Sequence, residues 1–60
     1  MNGLGKEIWQ MLIDRAAALV LRNGYTYEAA ACIMARPNGL TLRQEERLAA
    51  ELRKKFRNEK

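Results

Sequence analysis

The chain has 60 residues and a formal net charge of +4, with one cysteine and no histidine. A chain of this length makes one domain at most and buries only about 60% of its unfolded surface, so disulfides, metal ions or oligomerisation usually add stability. The single cysteine excludes an intrachain disulfide and a four-ligand zinc site, so composition favours oligomerisation.

The sequence also excludes several classes of function. Cys32, the single cysteine, lies in an apolar run, which is typical of a buried thiol in a reducing compartment, so we expect a cytoplasmic protein. Charged and amide residues interrupt the N-terminal apolar segment, which disfavours a signal peptide and a membrane span. No base adjoins the thiol, and no glycine-rich phosphate loop occurs. We therefore expect neither catalysis nor a bound metal or cofactor.

An amphipathic first helix is predicted from about residue 4 to residue 23. Its apolar side chains follow the 3.6-residue helical period. The apolar face comprises Trp9, Leu12, Ile13, Ala16, Leu19 and Val20, widened by Ile8. Met11 and Leu21 fall on the polar side, where each is either an ordinary exposed residue or a partner contact. Gly24 is expected to end the helix in a Schellman motif, with Tyr25 packing back on Val20.

A second helix is predicted from residue 27 to about residue 36, with Thr26 as its N-cap. Nearly all of its side chains are apolar, among them Ala30, Ala31, Ile33 and Met34. A helix that is apolar all round has to be covered on all sides, and the two remaining segments leave too little material for this. We therefore expect a second copy of the chain to cover this helix, so that homodimerisation completes the bundle. Pro37 is expected to end the helix, because it disfavours helical geometry at Arg36.

A third helix is predicted from residue 42 to about residue 57. Thr41 and Gln44 have the spacing of a capping box at its start. Its apolar residues include Leu48, Leu52 and Phe56. Leu42, Ala49, Leu52 and Phe56 would form a heptad seam, with Leu48 beside them, if Glu45 filled its first d position. Two interpretations stay open: Glu45 specifies the register of the seam, or the seam begins only at Leu48.

Basic residues in the last third of the chain support a nucleic-acid alternative. A short helix, a turn and a polar helix start follow the order of a helix-turn-helix, in which Arg43, Gln44 and Arg47 would contact bases. A basic cluster near the C-terminus would contact phosphates. The cluster comprises Arg53, Lys54, Lys55 and Arg57, with Lys60 beyond them. A plainer interpretation is that these cations are solvated and interact favourably with the helix dipole.

The sequence thus predicts one all-α domain over residues 1–60, with frayed ends at 1–3 and 58–60. The apolar residues named along the three helices are expected to form its core or dimer interface. The favoured function is a small non-catalytic protein-interaction module, acting as a homodimeric regulator or adaptor of an unidentified protein partner. A helix-turn-helix-like DNA-binding regulator is the alternative, and an assembly subunit without a separate ligand is a third hypothesis.

Overall fold

The computed structural model describes residues 5–58, which form three helices and no strand. The helices are α1 (Lys6–Asn23), α2 (Tyr27–Ala35) and α3 (Leu42–Asn58). The predicted all-α bundle is confirmed, with small differences in helix length. α1 begins at Lys6 rather than near residue 4, α2 ends one residue earlier than predicted, and α3 continues through Asn58. The other residues that were predicted to fray, 1–3 and 59–60, lie outside the described part of the chain.

Threonine side chains start α2 and α3, as the sequence predicted. The Thr26 hydroxyl accepts a hydrogen bond from the Ala29 backbone N–H at 3.1 Å. The Thr41 hydroxyl accepts from the Gln44 N–H at 3.2 Å, while the Thr41 N–H donates to the Gln44 side-chain oxygen at 2.9 Å. Each bond satisfies a backbone or side-chain group that the first helical turn would leave unpaired. α1 begins at Lys6, and its N-cap residue, Gly5, makes no side-chain capping bond.

The end of α1 differs from the prediction in its hydrogen-bond pattern. Gly24 adopts the left-handed conformation with φ of 74°, and its N–H donates to the Val20 carbonyl at 3.1 Å. This five-residue closure is the αL ending, rather than the Schellman motif that was predicted. Tyr25, which was expected to pack back on Val20, is 41% exposed.

The Schellman motif lies instead between α2 and α3. Gly39 has φ of 68°, the Leu40 N–H donates to the Ala35 carbonyl at 3.0 Å, and the Gly39 N–H donates to the Arg36 carbonyl at 3.2 Å. Arg36 keeps helical angles, with φ of −62° and ψ of −51°, so the expectation that Pro37 forces it out of the helical region is wrong. The chain reverses at the glycine, where a left-handed conformation costs least.

One hydrophobic core joins the three helices. α2 packs against both α1 and α3, and α1 also contacts α3. The buried core comprises Leu12, Ile13, Ala16, Ala17, Ala30, Ala31, Leu48, Ala49 and Leu52. Half-buried side chains packed around it are Trp9, Leu19, Val20, Tyr27, Met34, Leu40 and Phe56. The largest fully buried side chains, Leu12, Leu48 and Leu52, belong to α1 and α3, whereas α2 buries only alanines completely. The two outer helices therefore approach α2 closely.

α2 is covered within a single chain, contrary to the sequence-based expectation. Ala30, Ala31 and Ala35 each have no exposed surface. An alanine presents so little side chain that two neighbouring helices suffice to bury it, which the count of apolar residues did not take into account. Ile33 is the exception, because it remains 40% exposed. Covering α2 is therefore no longer a reason to require a second copy of the chain.

The apolar seam of α3 begins at Leu48. Leu42 is 74% exposed and Glu45 is half-buried, whereas Leu48 and Leu52 have no exposed surface. A heptad seam that included Leu42 and Glu45 would place both residues in the core. The structure thus supports the second of the two interpretations, in which Glu45 precedes the seam.

Candidate binding surfaces

Four of the predicted nucleic-acid residues lie on one exposed face of α3. Arg43, Arg47, Lys54 and Arg57 are spaced by four, seven and three residues, and all are exposed. Residues at such steps share one side of an α-helix. At 1.5 Å per residue the four cations extend over about 21 Å. Ala50 fills the gap between Arg47 and Lys54, and we call these four basic residues the cationic row.

None of the four row members forms a hydrogen bond or an ion pair within residues 5–58. Three further predicted contact residues are engaged elsewhere, and Lys60 of the predicted cluster lies outside the described residues. The Arg53 guanidinium pairs with the Glu28 carboxylate of α2, Gln44 belongs to the capping box of Thr41, and Lys55 is half-buried and has an interaction of its own. The structure therefore divides the predicted set into an unengaged row and three residues with structural roles.

The capping role of Gln44 bears directly on the helix-turn-helix alternative. Base reading would require its amide to leave Thr41, whose backbone N–H would then lose its partner. The turn between α2 and α3 covers residues 36–41, six residues, compared with about three or four in a helix-turn-helix. Glu45 and Glu46 follow at the same end of α3 and would face phosphates unfavourably. These observations disfavour base recognition by the start of α3.

A shallow groove joins the beginning of α2 to the end of α3. The Tyr27 and Phe56 rings stack there, with centroids 5.6 Å apart and planes inclined by 23°. Row members Lys54 and Arg57 line the same groove beside Arg53. The ring stack joins the C-terminal half of α3 to the start of α2, beside these cations.

A second groove between the same helices has the opposite charge. Glu28, Glu45 and Glu46 line it together with Arg53, over a floor formed by alanines of α2 and α3. The α2–α3 boundary is thus acidic near the start of α3 and basic near its end. The excess positive charge lies on the outer face and at the C-terminal end, rather than evenly around the helix.

The residues predicted to form the core or the dimer interface differ in their exposure. Nearly all lie in the core or pack against it, and the exception is Ile33, which is 40% exposed. Sequence reasoning left Ala17 and Ala35 out of this set, although both are buried, as is Ala49 of the predicted seam. Their helical spacing was visible in the sequence, but alanine occurs on buried and exposed faces alike. Only the packing of neighbouring helices distinguishes these buried alanines from exposed Ala50.

Large apolar side chains remain on the outer face of α1. Ile8 is 48% exposed and Met11 is 44% exposed, and the three-residue step between them places both on one side of the helix. The expectation that Ile8 widens the core face is wrong. Leu21, which broke the apolar pattern in the sequence, is 72% exposed. We call Ile8 and Met11 the α1 apolar patch.

Cys32 lies in a different environment from the one expected. Its side chain is half-buried, and the Arg36 Nε–H donates to the sulfur at 3.0 Å. A cation therefore lies beside the thiol, one helical turn further along the chain. Within residues 5–58 no cluster of three or more potential metal ligands forms around this or any other site.

Comparisons with protein-family models, with curated proteins and with solved structures identify no match. Function has to be argued from the surfaces. In the described part of the chain, no helix combines the length and the apolar character needed to cross a membrane.

Proposed function

We propose that this protein is a small non-catalytic interaction module that forms a homodimer along α1 and regulates or adapts a protein partner. The observation that carries the proposal is the α1 apolar patch. Ile8 and Met11 are nearly half exposed on the outer face of a helix whose inner face already supplies much of the core. A second helix packed on this side of α1 would cover both side chains. The cysteine content supports a cytoplasmic location.

Charges around the patch favour a second copy of α1 as its occupant. Glu7 and Asp14 are seven residues apart on one side of the Met11 line, while Arg15 and Arg22 are seven residues apart on the other side. All four are exposed. If two α1 helices pair in parallel about a two-fold axis, the acidic side of one helix meets the basic side of the other. Antiparallel pairing would bring like charges together.

The complete core of a single chain supports a weak dimer rather than an obligate one. The core of residues 5–58 is complete without a partner, since Leu12, Leu48 and Leu52 are fully buried. A pair of single helices buries less surface than the roughly 1,200–2,000 Å² of a stable interface. We therefore expect a folded monomer in equilibrium with the dimer.

Sedimentation velocity over a range of protein concentrations tests the proposal. The wild-type chain should shift from monomer to dimer as concentration rises. Met11→Glu should abolish that shift, because it places a like charge at the centre of the interface on both copies. Leu42→Glu is the matched control, since Leu42 is 74% exposed on a different helix. It should leave association unchanged.

Circular dichroism of the same variants establishes that both remain folded. A wild-type chain that is monomeric at every concentration contradicts the dimer, and so does equal loss of association in the two variants. The orientation is tested by Ala18→Cys in a Cys32→Ser background, because Ala18 lies two helical turns from Met11 close to the same line of α1. A parallel pair brings the two engineered thiols together and allows oxidative cross-linking, whereas an antiparallel pair keeps them apart.

A further inference from the structure

We propose that the cationic row of α3 is a docking site for the phosphate backbone of double-stranded nucleic acid, bound without base recognition. The proposal rests on Arg43, Arg47, Lys54 and Arg57 and is independent of the dimer formed along α1. It differs from a helix-turn-helix in that the whole outer face of α3 is used, rather than its start. The occupant follows from charge complementarity and from the shape of the row.

The row is a rigid linear array of positive charge. α3 is a continuous helix from Leu42 to Asn58, held by the buried Leu48 and Leu52 on its inner face. Its four cations are unengaged within the described residues and extend over about 21 Å. A nucleic-acid duplex carries one negative charge per about 1.7 Å of its axis, so a straight row of this length meets several phosphates.

The composition of the face argues for a duplex over other anionic occupants. The side chains along the row are basic except for Ala50, so no large apolar group is available to insert into a membrane. Single-stranded nucleic acid is usually held by aromatic rings on which bases stack. Tyr27 and Phe56, the nearest rings, stack on each other instead. A duplex backbone requires only the charges.

The same face has nothing suited to reading bases. Gln44 is held in the capping box, and Glu45 and Glu46 lie at the end of α3 where a recognition helix would enter the groove. Glu51 and Glu46 border the row on its two sides, which limits the number of phosphates that can approach. Binding of this kind is governed by counterion release, so it is strongly dependent on salt and nearly independent of sequence.

The test is fluorescence anisotropy with a labelled DNA duplex of mixed sequence, about 21 bp or two helical turns long. If all four cations engage phosphates, log Kobs against log[NaCl] has a slope of about −3.6, and affinity falls about 150-fold from 50 to 200 mM salt. Arg47→Gln with Lys54→Gln should halve the slope. Lys6→Gln with Arg36→Gln removes the same charge outside α3 and outside the proposed dimer interface, and should leave the slope unchanged.

Gln, Arg and Lys have similar helix propensities, so both double variants should remain folded, as circular dichroism can check. A duplex of unrelated sequence should bind equally well. The Arg47 and Lys54 substitutions should also halve the slope in a Met11→Glu background, in which the proposed dimer does not form. The proposal is overturned by absence of binding at 50 mM salt, by equal effects of the two double variants, or by tighter binding of the corresponding single strand. It is also overturned if binding to vesicles containing phosphatidylserine requires Arg47 and Lys54 while binding to the duplex does not.

Discussion

α2 and α3 pack against the same core, but they differ in how much of their surface is buried. α2 is short, has one charged residue within its bounds, and buries three alanines completely. α3 is nearly twice as long and divides sharply into an inner apolar face and an outer basic one. α2 is enclosed by two neighbours because its side chains are small, whereas α3 needs only one buried face and leaves the other for solvent or a ligand.

This difference shows that apolar composition alone does not locate an interaction surface. The most apolar helix is the best covered one, and the exposed surfaces with binding potential lie on the two amphipathic helices. The cationic row of α3 and the α1 apolar patch both lie on helix faces that do not cover α2. The same substitution should therefore change stability far more at a buried position of the core than at an exposed position of an outer face.

The largest expected effect comes from Ala31→Glu in α2. Ala31 has no exposed surface, so the substitution buries a carboxylate without a partner or forces the helices apart. A domain of this size has a total stability of about 3–9 kcal/mol, and the change should remove most of it. Loss of the circular dichroism signal of the helices at 25 °C is the measurement. Ala50→Glu, on the exposed face of α3, is the matched control and should keep the chain folded.

Unfolding of the Ala31 variant is expected for a monomer as well as for a dimer, so it does not test association. A folded, stable Ala31→Glu protein would show that α2 is not enclosed between α1 and α3. Similar losses of structure in the Ala31 and Ala50 variants would remove the contrast between the two helices.

The next effect concerns the two faces of α3. Leu48→Ala should lower the free energy of unfolding by about 2–5 kcal/mol, because it removes a fully buried side chain and leaves a cavity. Leu42→Ala removes the same group where it is 74% exposed, and should change stability by less than about 0.5 kcal/mol. Urea denaturation provides both values. Equal losses would mean that the seam includes Leu42 after all.

A smaller effect is expected in the connection that separates α2 from α3. Gly39→Ala should cost about 1–2 kcal/mol, because the residue has φ of 68° and an L side chain is strained there. No atom lies within 4 Å of the added Cβ, so the cost is conformational and not steric. Gly39→Asn should cost less, since asparagine tolerates this conformation. Thermal denaturation compares the two, and an Ala variant as stable as wild type would contradict the Schellman ending.

The smallest effect is expected for the ion pair that joins the two helices. Glu28 and Arg53 are 63% and 55% exposed at their side chains, so solvent screens their attraction. A double-mutant cycle with Glu28→Gln and Arg53→Gln should give a coupling of about 0–1 kcal/mol that decreases with added salt. A coupling that salt does not reduce would indicate a buried pair, contrary to the observed exposure.

Sequence patterns predicted the local features of this protein well. The existence of three helices, the cap at Thr26 and the capping box at Thr41 depend on residues within one turn of each other. Polar and apolar spacing also identified most of the core side chains, because a helix repeats its faces at a fixed period. The Schellman ending was assigned to Gly24 rather than Gly39, since two glycines with similar local sequence signals end their helices by different bond patterns.

Tertiary structure alone decided which surfaces remain free. Whether an alanine is covered depends on neighbouring helices that are remote in sequence, so α2 was taken as an interface although one chain encloses it. Which cations are unengaged depends on the Glu28–Arg53 pair, whose members are 25 residues apart. Helical period and capping are properties of adjacent residues, whereas burial and pairing are properties of the assembled core. For this reason the sequence by itself determined the elements, and only their packing revealed the α1 apolar patch and the cationic row.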